Sequence, residues 1–122
     1  MATRNIAVKL AIGLAAIAAT CGPASAAEND HDILGIDDLD RGAKAFEAAT
    51  GVKPAYGGKH PGGTHNALVS LGDGTYLEIL AVQEGVTVQG DFAGLKQMKT
   101  LTPIGWAVSS KDTAELRKRL ST

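Results

Sequence analysis

One element occurs twice in this chain, and that repetition limits its fold more than any other feature. Ile33-Leu34-Gly35-Ile36-Asp37-Asp38-Leu39-Asp40 and Trp106-Ala107-Val108-Ser109-Ser110-Lys111-Asp112 each read as a short apolar strand, a polar cap and the start of an amphipathic helix. In the first copy, Leu39, Ala43, Phe46 and Ala49 recur at the four-and-three spacing of one helical face, while Arg41, Lys44 and Glu47 take the other. Asp37-Asp38 supply N-terminal capping oxygens, and Gly51 stands where a left-handed C-terminal cap is wanted. In the second copy, Ile104 to Val108 is the strand, and Asp112 with Glu115 has the spacing of a capping box ahead of Leu116 and Leu120.

The residues between the copies read as strands. Val52 to Tyr56 contains Pro54, which lacks a ladder donor, so a strand there lies at an edge. A Gly-rich loop, Gly57-Gly58-Lys59-His60-Pro61-Gly62-Gly63, follows. Thr64 to Leu71 and Thr75 to Val82 then flank Gly72-Asp73-Gly74, a hairpin signal. Alternation puts His65, Ala67 and Val69 on one face of the first strand, and Tyr76, Glu78 and Leu80 on one face of the second. Gln83 to Leu101 reads as a linker with one helical turn around Phe92 to Met98. The expectation is an α+β fold: a βαβββ module (about 30–83), a linker (about 84–101) and the first strand and helix of a second module (about 102–122). That second module reads as cut short, since the final helical pattern runs off without a stop signal.

The N-terminus carries a separate signal. Arg4 and Lys9 form a positive region, Leu10 to Thr20 is apolar, and Ala24-Ser25-Ala26 is a small-x-small cleavage site, the three parts of a secretory signal peptide over residues 1–26. The apolar run is about half of the ~20 residues that a spanning helix needs. The expected mature protein, residues 27–122, is therefore exported, periplasmic or secreted, with no membrane partner after cleavage. It has no cysteine, because Cys21 leaves with the signal, so disulfides and thiolate metal sites are excluded. Loss of Arg4 and Lys9 and of no acidic residue takes the formal charge from −1 to −3, which argues against nucleic acid as a partner.

Few residues could carry chemistry. Glu78 interrupts an otherwise apolar strand, and a carboxylate buried there requires a partner or a metal; the other reading is a strand face that is simply wet. His65, on the neighbouring strand, is a proton carrier, a ligand or a cross-strand polar neighbour. His60 is a turn residue or a substrate contact, in a loop with neither P-loop nor dinucleotide-binding spacing. Asn66 fixes a substrate carbonyl or closes the loop. Tyr76 and Trp106 are packing residues by default.

Asp30-His31-Asp32-Ile33-Leu34-Gly35-Ile36, the helix ending in Thr50-Gly51-Val52-Lys53-Pro54, Gly57 to Leu68, and Leu71-Gly72-Asp73-Gly74-Thr75-Tyr76-Leu77-Glu78-Ile79-Leu80-Ala81 together resemble the first module of a glyoxalase-like domain of the vicinal oxygen chelate superfamily. The resemblance is close from Asp30 to about Val82 and looser to Leu120. It implies paired βαβββ modules whose curled sheets form a cleft, often around one divalent metal held by His and Glu side chains from the first and last strands of each module. Carried over by position, it offers His31 and Glu78 as metal ligands, with His65 as the catalytic proton carrier and His60, Asn66 and Tyr76 as substrate contacts. An imidazole and a carboxylate suit zinc, iron, manganese or nickel. The corresponding second-module position falls near Thr102 or Pro103, neither a usual donor.

Two functions follow as expectations. The first is a divalent-metal-assisted lyase, isomerase or dioxygenase acting on a small oxygenated molecule. The alternative is a non-catalytic small-molecule-binding module, or a truncated relic, that forms a homodimer through its open sheet edge.

Overall fold

The computed structural model describes residues 27–121; the signal-peptide reading of residues 1–26 lies outside the described residues. Five strands, two α-helices and one 3-10 helix follow in the order β1 (Glu28–Gly35), α1 (Leu39–Thr50), β2 (Ala55–Lys59), β3 (Thr64–Ser70), β4 (Tyr76–Val82), the 3-10 helix Gly90–Gln97, β5 (Thr102–Ser109) and α2 (Thr113–Leu120). The strands form one sheet in the order β2-β3-β4-β1-β5, in which β1 runs parallel to β4 and the other neighbours are antiparallel. The fold is α+β, as expected.

Local chemistry explains the helix ends. The Asp38 carboxylate accepts from the Arg41 backbone N–H at 2.8 Å, satisfying a donor that the first turn leaves open. Gly51 ends α1 at φ 74°, where its N–H reaches the Glu47 carbonyl. Asp112 caps α2 through the Glu115 N–H at 2.9 Å, but the Asp112 N–H goes to Ser110 Oγ, so the box is not reciprocal.

Two strands differ in extent from the sequence reading. β1 begins at Glu28, five residues ahead of its apolar run, because β5 pairs with its polar lead-in. β2 is shifted towards the C-terminus and takes in Gly57, Gly58 and Lys59, so the Gly-rich loop shrinks to the turn at His60–Gly63. That turn is pinned. Gln83 Nε2 donates to the carbonyls of His60 and Thr64, and the Gln83 N–H donates to the Gly63 carbonyl.

The sheet buries both faces, unequally. On one, α1 covers Ile36, Leu39, Ala67, Ile79 and Ala81, with Phe46, Leu77 and Leu101 at the margin. On the other, residues after β4 fold back so that Leu95, 1% exposed, seats against Leu80 and Val82 among Ile33, Val86, Val88, Met98 and Ile104. The stretch read as a linker therefore packs as a lid over the Leu80–Val82 end of that face. Neighbouring positions on β4 remain beyond it.

Candidate functional site

Strand register decides which chemical groups meet. β3 and β4 pair Leu68 with Glu78, Asn66 with Leu80 and Ser70 with Tyr76, while β1 and β4 pair Ile33 with Glu78 and His31 with Tyr76. Residues directly opposite share a face, and alternation carries that face along each strand. Tyr76, Glu78, Asn66, His31 and Ile33 consequently lie on one side of the sheet, next to the apolar lid cluster. His65 pairs with Ala81 and lies on the helix-covered side.

The shared face holds a continuous polar network. Glu78 is only 8% exposed, and its two oxygens are placed differently: Oε1 accepts from Asn66 Nδ2 at 2.7 Å, while Oε2 stands 3.4 Å from His31 Nε2. On the far side of its ring, His31 Nδ1 is 2.7 Å from Asp30 Oδ1. Tyr76 stacks on the same ring, with centroids 4.5 Å apart and planes 15° from parallel. Its phenol is held above the ordinary tyrosine range, chiefly by desolvation and then by the negative charges of Asp30 and Glu78. The network continues from Asn66 Nδ2 to His60 Nε2 at 3.2 Å, and from His60 Nδ1 to Thr64 Oγ1 at 2.8 Å. Among the described residues no buried side-chain nitrogen or oxygen lacks a partner.

Five of the six residues singled out in the sequence, His31, His60, Asn66, Tyr76 and Glu78, therefore meet. The sixth does not: the sheet itself separates His65 from Glu78. His65 instead lines an open depression of about 580 Å³ with Asp37, Asp38, Asp40, Glu84 and Lys96. The three aspartates there already have work. Asp37 pairs with Arg41 and Lys99, Asp38 caps α1, and Asp40 accepts a hydrogen bond from the Tyr56 hydroxyl. Asp30 and Thr64 belong to the network without having been singled out. Asp30, next to His31 in the chain, was the more accessible of the two to sequence reading.

The donor chemistry of the His31–Glu78 pair fits two corners of a divalent-metal site. In the tautomer that gives Nδ1–H to Asp30, the Nε2 lone pair of His31 is the one on the side of Oε2, and a carboxylate behind a ligating imidazole is the usual support for one. The 3.4 Å gap also matches the edge of a tetrahedron with arms of about 2.1 Å. The fit stops at two donors. Among the described residues no group of three or more His, Cys, Asp or Glu side chains is arranged to hold an ion.

A family model described as a glyoxalase-like domain matches residues 29–122. The chain belongs to the glyoxalase-like domain family, within the vicinal oxygen chelate superfamily. Searches of curated proteins and of solved structures return no match. Members of this superfamily often use divalent metals and commonly bind small molecules. In this glyoxalase-like chain, the positions carried over as ligands, His31 and Glu78, are the two that face each other across 3.4 Å.

Proposed function

We propose that the protein is an exported, glyoxalase-like enzyme that binds a small oxygenated molecule at the His31–Glu78–Asn66 face and transforms it with the help of a divalent cation. The observation that carries this reading is the Glu78 carboxylate. It is buried, one oxygen is held by Asn66, and the other is aimed at an imidazole nitrogen whose opposite side is backed by Asp30. A bound divalent cation would act as a Lewis acid on paired ligand oxygens. The chain's own residues do the rest. Asp30 and Tyr76 orient the imidazole, Asn66 orients the carboxylate, and the apolar lid cluster dries one side of the face. Proton transfer at this face falls to Glu78, since His65 lies behind the sheet and both ring nitrogens of His60 are engaged by Asn66 and Thr64.

A second reading is a non-catalytic module that sequesters the same class of ligand. It is favoured by there being two donors rather than three among the described residues. Both readings include a second copy of the chain as partner. Their support is the outer edge of β5, a strand with no charged side chain, whose Trp106 is 67% exposed. Export rests on the N-terminal pattern alone.

Zinc titration of the mature chain, beside its His31→Ala and Glu78→Gln variants, separates the readings. Glu78→Gln keeps an acceptor for Asn66 and removes only the charge. The enzyme reading expects near-stoichiometric zinc in the parent, lost in His31→Ala and weakened at least ~10-fold in Glu78→Gln. No zinc in the parent sinks that reading and leaves the sequestering module.

A further inference from the structure

We propose that Asn66 is the positioning residue of this site: it selects the one free oxygen of Glu78 and the one protonated nitrogen of His60. The proposal deepens the reading above and rests on the same face, but it stands on hydrogen-bond directions that need no metal.

The two ends of the Asn66 carboxamide meet neighbours whose roles cannot be exchanged. The Gly58 backbone N–H, an obligatory donor, points at Oδ1 from 3.1 Å, and the Glu78 carboxylate, when ionised an obligatory acceptor, receives Nδ2–H at 2.7 Å. Turning the amide over would set N–H against N–H at one end and oxygen against oxygen at the other. The orientation is therefore determined, and two consequences follow.

The first concerns Glu78. With Oε1 occupied by Asn66, only Oε2, at 3.4 Å from His31 Nε2, is open to an incoming group, so the carboxylate offers one oxygen and not two. The second concerns His60. The other Nδ2 proton of Asn66 points at His60 Nε2, which must accept it; the ring proton therefore sits on Nδ1 and is donated to Thr64 Oγ1. Two side chains 18 residues apart in sequence thus have their hydrogen-bonding states set by one amide. The amide in turn depends on a missing side chain. A Cβ on Gly57 would overlap Asn66 Oδ1, so this stretch of β2 has to be bare for the carboxamide to seat.

Nitrogen NMR of the histidine rings tests this on the mature chain labelled with ¹⁵N-histidine, since the ring nitrogens of the two neutral tautomers and of the cation give distinct signals. Three samples are compared: the parent, Asn66→Asp, which keeps the shape but cannot donate, and Gly57→Ala, which alters no polar group. In the parent, His60 is expected as the Nδ1–H tautomer. In both variants that preference is expected to collapse while the His65 ring signals, behind the sheet, stay put. In a parent that takes zinc, both variants should also bind it ~10- to 100-fold more weakly. A parent His60 carrying its proton on Nε2, or a tautomer unmoved in both variants, overturns the proposal. An Nδ1–H His60 that responds to both substitutions upholds it even in a chain that takes no zinc, an outcome that would defeat the enzyme reading instead.

Discussion

At the scale of single residues, both tyrosines are held by acids. Tyr56 donates to Asp40 Oδ1 at 2.5 Å, and that bond, followed by desolvation and the nearby charges of Asp40 and Asp38, keeps its phenol above the ordinary range. Tyr76 is raised mainly by desolvation, then by Asp30 and Glu78. Because the folded state holds both protons more tightly than the unfolded chain does, the associated stability is complete below the unfolded value of 10.0 and fades as pH rises past it through the folded values. With two tyrosines in the chain, a spectrophotometric alkaline titration is expected to give both phenolate midpoints above that of the unfolded chain, with no component at the ordinary value. Tyr76→Phe should leave a single titration, that of Tyr56. An ordinary component that disappears in Tyr76→Phe would contradict the packing of Tyr76 on His31. The conspicuous member of the site, Glu78, was legible as a charge in an apolar strand. Its partners were not, because Asn66 and His60 lie 12 and 18 positions away and reach it only through strand pairing.

At the scale of elements, the first helix shows how closely the layers meet. A Cβ on Gly42 would stand 2.8 Å from Ile36 Cγ2 and 3.2 Å from Ile79 Cγ2, so α1 lies against the sheet with room for hydrogen only. Gly42→Ala gains ~1 kcal/mol of helix propensity but overpacks this seam at a cost of ~1–3 kcal/mol. The net expectation is destabilisation by about 1 kcal/mol, read as a lower urea midpoint with an unchanged slope; a higher midpoint would show that the seam yields. Helix faces, caps and the hairpin were readable because they depend on residues within one or two turns of each other. β1's polar beginning and β2's Gly-Gly-Lys end were misread for the converse reason. Glu28, Asn29, Gly57 and Gly58 have little strand preference, and long-range pairing with β5 and β3 overrides it.

At the scale of the whole molecule, the sheet is well covered at its centre and thinly covered at β5. α2 buries none of its residues, Leu120 is 75% exposed, and Trp106 on β5 is largely in water. If a second copy covers this edge, the emission of Trp106, the only tryptophan, is expected to move to the blue as concentration rises, in step with the sedimentation coefficient. Emission of a solvated indole at every concentration, with a monomer's sedimentation, would remove the homodimer from the proposal.

By itself the sequence determined the succession of strands and helices, their caps, the family, and the short set of residues able to do chemistry, since these follow from local spacing and residue type. Only the tertiary structure decided which of those residues share a face. Side chains alternate with a period of two, so pairing β3 with β4 in this register sends Asn66 to Glu78 and turns His65 away from it. A slip of one residue would have exchanged their places.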